Sequence, residues 1–180
     1  MKFIVQLLFA LIFTVTCTAQ LVQERKITVT EVISAQKAWG DAIVLIGKMF
    51  SEQKDYKSYA VRIVDSLYAF DEGTVLFKPT KAAEVQFRKT EEEAVSYFVT
   101  GNIHEDHGFA IQPWLNVRFE NSGILIDDDS AAAMGNYFFT DAKTGKEIKV
   151  EFTFGYIRDK NGRLLINIHH SSLPYVAQHN

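Results

Sequence analysis

The chain has 180 residues, a formal net charge of −3 and 47% apolar residues, which suits one domain with a substantial core. The mildly acidic balance gives no electrostatic footprint for nucleic acid, and no Lys/Arg cluster marks a membrane surface. The single cysteine, Cys17, falls in an apolar leader, so a disulfide framework, thiolate chemistry and a cysteine-based zinc site are excluded from a chain that has lost that leader.

Residues 1–20, "MKFIVQLLFALIFTVTCTAQ", place Lys2 before an apolar run from Phe3 to about Val15, followed by small residues. That is the layout of a secretory signal peptide. Cys17-Thr18-Ala19 fits a small-x-small cleavage site. Cleavage is expected after Ala19, leaving a single domain over 20–180 that is exported, either periplasmic or secreted. A membrane anchor competes with this reading, but the run is shorter than the ~20 residues a span needs. Lipidation of Cys17 also competes, although Thr14-Val15-Thr16 match the small-residue pattern of that processing poorly.

From about Thr30 to Gln53 the apolar residues Val32, Ala35, Trp39, Ile43, Ile46 and Phe50 recur at helical spacing, with Thr30 as N-cap. Gly40 and Gly47 weaken that helix. A second helix is expected from Asp55 to Phe70 and a short strand at "TVLFKPT". A third helix begins at Thr90, where Glu93 three residues on completes a capping-box signature, and stops at Gly101. Strands then follow over 109–119, 123–127, 131–139, 147–158 and 163–172, with turns at "DAKTGKE" and "DKNGR". Helices first and an antiparallel meander after them mean an α+β fold, a strongly curved sheet wrapped over helices as a cone with one open end.

The last strand carries the chain's most unusual stretch, "INIHHSSLPY" at 166–175. Side chains alternate along a strand. That alternation puts Leu164, Ile166, Ile168, His170 and Ser172 on the inner face, and Leu165, Asn167, His169 and Ser171 on the outer one. The preceding strand has a matching apolar face of Val150, Phe152, Phe154 and Tyr156. Two inward polar groups after two isoleucines point to a site at the open end. The plainer account is a satisfied polar strand end. A metal site is the weaker reading. His169 and His170 diverge on a strand, and His104 and His107 in "HEDH" read as a solvated loop short of the three or four ligands zinc takes.

"VLFKPT", "AVSYFVTG", "GFAIQPW", "AMGNYFFT" and "INIHHSSLPY" together resemble the iota-class carbonic anhydrases. These are SnoaL-like, nuclear-transport-factor-like cone folds, related to the association domain of calcium/calmodulin-dependent kinase II. The resemblance spans about Thr30 to Tyr175. It implies reversible hydration of carbon dioxide to bicarbonate and a proton. Several members of the class look metal-free and others have been described with divalent metals, so it implies no cofactor while leaving zinc or manganese open. In the metal-free type a threonine, a tyrosine and a serine line the bicarbonate site. Carried over by motif, these are Thr80, Tyr97 and Ser172. Strand parity sets His170 beside them, with His170 or a relay through Tyr97 taking the proton. The plainer accounts make Tyr97 a core aromatic and Thr80 a turn residue. The non-enzymatic alternative is a small-ligand-binding or oligomerisation module on the same cone. A homodimer through the exposed sheet face is expected, with no nucleic-acid partner and no membrane partner once the leader is gone.

Overall fold

The computed structural model describes residues 26–177. The expected leader and its cleavage site lie outside the described residues.

Helix α1 runs over Val29–Ser51. Thr28 caps it, accepting from the Glu31 N–H while the Glu31 carboxylate accepts from the Thr28 N–H at 3.0 Å. This reciprocal pair places the start two residues before the expected cap at Thr30, which falls inside the first turn. Val32, Trp39, Ile43 and Ile46 are buried, and α1 packs against strands of the sheet. The helix-weakening Gly47 has a packing reason. A Cβ there would come within 2.8 Å of the Ala110 carbonyl oxygen.

Helix α2, Tyr56–Leu67, is capped by Asp55, whose carboxylate accepts from the Ser58 N–H at 3.1 Å. It ends earlier than the expected Phe70. Tyr68 is extended, and the Ala69 N–H donates to the Ile166 carbonyl at 2.9 Å. Sheet bonding has won over helical continuation there. Strand β1 is Leu76–Lys78. Helix α3, Glu91–Val99, has Thr90 as N-cap. Only half of the expected box forms, because the Glu93 carboxylate takes the Lys89 N–H at 2.6 Å. Thr100, not Gly101, adopts the positive φ of 68° after the helix. A β-branched residue held there stores on the order of 1–3 kcal/mol of strain.

Strands β2 (Trp114–Ile126), β3 (Ser130–Asp141), β4 (Glu147–Arg158) and β5 (Leu164–Ser172) form the expected antiparallel meander. β1 joins it in parallel beside β5, giving an open sheet of order β1-β5-β4-β3-β2. Two expected strands, 109–119 and 123–127, are one strand that begins later. Residues 109–113 form a turn instead. The N–H groups of Phe109 and Ala110 are taken by the Tyr97 and Phe98 carbonyls, each at 2.9 Å, at the end of α3. Register shifts at Asn121/Gly123 let a single strand continue through the second break.

Tyr137, Phe139, Val150, Phe152, Phe154 and Tyr156 are buried, the last four being the apolar face expected from the sequence. Trp39 sits among them, edge-on to Phe154 at 5.6 Å and to Tyr137 at 5.7 Å between ring centres. Burial of a large apolar side chain contributes about 2–3 kcal/mol, so this aromatic cluster anchors α1 to the sheet. The floor it makes is where β5 delivers its polar end.

Candidate active site

Strand β5 departs from the expected alternation in two ways: Leu165, expected on the outer face, is buried beside Ile166, and the register shifts after Ile166. Tyr156 pairs with Ile166, but the next residue back on β4, Gly155, pairs with Ile168. Asn167 is therefore an extra residue on β5, a β-bulge. A Cβ on Gly155 would lie 2.9 Å from both the Asn167 side-chain oxygen and the Ile168 Cβ, so glycine opposite the bulge gives it room. One extra residue turns every later side chain to the other face. His169 and Ser171 are each only 2% exposed, and they pair with Phe154 and Phe152 of the inner face.

This corrects the placement expected for two residues. His170 is exposed and lies in a shallow depression of the outer face with Met134, Thr153 and Ser172. Ser172 is also on that face, donating to the Glu151 carboxylate at 3.0 Å. Neither enters the core. The physical reason is the bulge, which period-two counting cannot register.

Thr80 and Tyr97 do come together with the inward serine. Parallel pairing of Phe77 with His169 and of Lys78 with His170 aligns β1 with the end of β5. The chain then passes Pro79, and Thr80 Oγ1 lies 2.8 Å from Ser171 Oγ. Tyr97 reaches the same place from α3. Its ring is stacked on Phe109 at 5.5 Å and stands edge-on to Phe77 at 5.9 Å. The Lys81 N–H donates to the Tyr97 hydroxyl at 3.4 Å. Tyr137, from β3, brings a fourth hydroxyl beside those of Ser171 and Thr80. Burial pushes the phenols of Tyr97 and Tyr137 well up from their ordinary range, against which the hydrogen bonds act only partly. Both are neutral donors at any physiological pH.

His169 continues the cluster into the core. Its ring stacks on Phe77 at 4.6 Å and meets Phe154 edge-on at 4.2 Å. The Trp39 indole N–H donates to the Tyr68 hydroxyl at 2.9 Å, and that hydroxyl lies 2.8 Å from His169 Nδ1. Indole can only donate, so the Tyr68 proton is free to go to Nδ1. His169 is then neutral with its proton on Nε2, an atom that is buried and has no protein partner among the described residues. Burial, with a smaller contribution from His170, holds this imidazole well below its usual range.

A cavity of about 530 Å³ borders Tyr97 and Lys81. Its walls include the apolar Phe50, Phe109 and Ile111, with His107 and Lys143 also lining it. The "HEDH" segment forms part of that wall, and its carboxylates have structural roles that a solvated loop does not provide. Glu105 accepts from the N–H groups of Ala83, Glu84 and Val85 at 2.9–3.0 Å, and these bonds hold its carboxyl below the usual range. Asp106 pairs with the fully buried Arg88 at 2.5 Å and accepts from Ser96 Oγ at 2.8 Å. His104 and His107 are exposed. Among the described residues no three His, Cys, Asp or Glu side chains are grouped so as to hold a metal.

Residues 30–173 match the profile of the family described as metal-independent carbonic anhydrase. The chain belongs to that family. The metal-independent carbonic anhydrase of Nostoc sp. (strain PCC 7120) is 40% identical over 169 residues, covering 89% of this chain and 82% of the relative. A cyanobacterial iota-carbonic anhydrase solved in complex with bicarbonate is 39% identical, with a TM-score of 0.81 over 84% of this chain and 95% of that one. A nuclear transport factor 2-like protein from Salmonella enterica, 10% identical with a TM-score of 0.51, shares the fold over 83% of this chain and 92% of its own. The carbonic anhydrase family is metal-independent by its description, in keeping with a site whose polar groups are hydroxyls and an imidazole.

Sequence reasoning missed three inward groups of this family member: Tyr137, His169 and Ser171. Tyr137 was legible, since it alternates with Phe139 on β3. The other two required the bulge, for which Gly155 opposite Asn167 is the sequence trace.

Proposed function

We propose that the chain reversibly hydrates carbon dioxide to bicarbonate and a proton, without a metal, at the inner-face hydroxyl cluster of Thr80, Tyr97 and Ser171. The observation that carries this reading is the 2.8 Å contact of Thr80 with Ser171, beside a phenol that itself receives a backbone N–H. Carbon dioxide is apolar and suits the Phe50, Phe109 and Ile111 walls. Water attacks its carbon, a C–O bond forms, and one C=O electron pair moves onto oxygen. Fixed donors aimed at that oxygen stabilise the charge as it develops. Tyr97 supplies one, and the Lys81 N–H bonded to its oxygen makes the phenol a stronger donor by cooperative polarisation. Thr80 and Ser171 can each donate and accept, so one can orient the water while the other binds the oxyanion. Tyr97 acts here as a donor, because a phenol raised in pKa keeps its proton and offers no phenolate to receive one.

Stopped-flow hydration by the purified protein tests this. Activity is expected to survive exhaustive chelation unchanged. Loss on chelation with recovery on adding zinc or manganese would show a metal enzyme, and a protein inert in both states would point to a small-ligand-binding module.

The expected homodimer is supported by the outer sheet face, where Leu125 is 65% and Met134 59% exposed. Sedimentation at micromolar concentration is expected to give a dimer, and a monomer overturns it. The expected export rests on residues 1–19 and is checked by N-terminal sequencing of the protein purified from its own cells.

A further inference from the structure

Hydration makes one proton for each bicarbonate, and the groups at the hydroxyl cluster are poorly suited to keep it. Tyr97 and Tyr137 are phenols held neutral by burial, and His169 is held neutral by the same cause. The cavity that borders Tyr97 gives the proton from the attacking water a way out. The charged groups lining that cavity are mostly committed. Glu105 takes three backbone N–H groups, and Asp106 takes Arg88 and Ser96. Lys81 and Lys143 also line it, and an ammonium group has no lone pair with which to accept a proton. Among the described lining residues one imidazole is left, that of His107, and an imidazole can take a proton at one ring nitrogen and give one up at the other.

We propose that His107 carries the proton released by hydration from the cavity to buffer in the solvent. The placement fits the task. His107 is exposed, yet it lines the same cavity as Tyr97. The chain two residues later is pinned to α3, where the Phe109 N–H donates to the Tyr97 carbonyl at 2.9 Å. The balance is simple. The water O–H bond breaks as the C–O bond forms, the imidazole lone pair takes the proton, and a solvent buffer base removes it. His104 lies in the same loop but does not line the cavity, so it serves as an internal control.

The inference rests on the proposed hydration activity, and the two can fail separately. Hydration is measured by stopped flow for the wild type, His107→Ala and His104→Ala, in dilute buffer and again with added imidazole. His107→Ala is expected to lower kcat roughly ten-fold or more in dilute buffer. Its kcat/KM should stay near that of the wild type, since the C–O bond-forming step is untouched, and imidazole should restore kcat. His104→Ala should match the wild type throughout. A His107→Ala kcat equal to wild type in dilute buffer overturns the proposal, as does a loss that imidazole does not restore. A wild type with no hydration activity overturns the reading beneath it.

Discussion

Ser171→Ala is expected to lower hydration activity by about 100-fold, whereas Ser172→Ala should change it by less than about two-fold. Removal of one fixed donor to a developing oxyanion commonly costs about 3 kcal/mol, close to two orders of magnitude in rate. Ser171 is such a donor by position, buried and 2.8 Å from Thr80 Oγ1. Ser172 bonds an exposed carboxylate, that of Glu151, on the opposite face. Exposed hydrogen bonds of that kind contribute little to stability and nothing to a cavity they do not face. Stopped-flow hydration read beside thermal unfolding separates loss of chemistry from loss of fold. A silent Ser171→Ala with a damaging Ser172→Ala, both folded, would place the chemistry on the outer face.

The largest effect on stability is expected at Arg88. Its guanidinium is fully buried, pairs with Asp106, and lies 5.8 Å above the Tyr97 ring. It also donates to the Val85 carbonyl. Arg88→Met leaves the Asp106 carboxylate buried without its cation. Breaking one side of such a pair typically destabilises by about 3–5 kcal/mol. The double substitution of Arg88→Met with Asp106→Leu should recover part of that loss, because no charge is then left uncompensated. Urea unfolding measures both. A single substitution that shifts stability by less than about 1 kcal/mol would mean that Asp106 finds water or another partner. Arg88, Glu105 and Asp106 together tie the 81–88 segment to the 105–106 turn. The position of Thr80 and of the Lys81 N–H therefore depends on them.

The helices and the meander were legible because their signals are local. Thr90 with Glu93, the Trp39/Ile43/Ile46 stripe and the Val150 to Tyr156 alternation each specify an element within a few residues. Boundaries failed where a distant partner outbid local preference. Tyr68 leaves its helix to pair with Ile166, and 109–113 turns to bond the end of α3. The facing of β5 failed for a sharper reason. Thr80 and Tyr97 were singled out through their motifs, but alternation along β5 holds only while no residue is inserted. Asn167 is inserted, and from there His169 and Ser171 exchange faces with His170 and Ser172. The parallel pairing of β1 with β5, which carries Thr80 to Ser171, is a long-range contact with no local signature. The carboxylates of "HEDH" are similar. Their partners lie at 83–88, and nothing in the segment itself announces them.

The inner hydroxyl cluster is expected to hold bicarbonate. A crystal of the protein soaked in bicarbonate measures this directly. The anion is expected within hydrogen-bond distance of Thr80 Oγ1, the Tyr97 hydroxyl and Ser171 Oγ, with His170 and Ser172 out of reach on the far side of the sheet. Bicarbonate bound instead on the outer face, against His170 and Ser172, would rule out the inner cluster as the bicarbonate site.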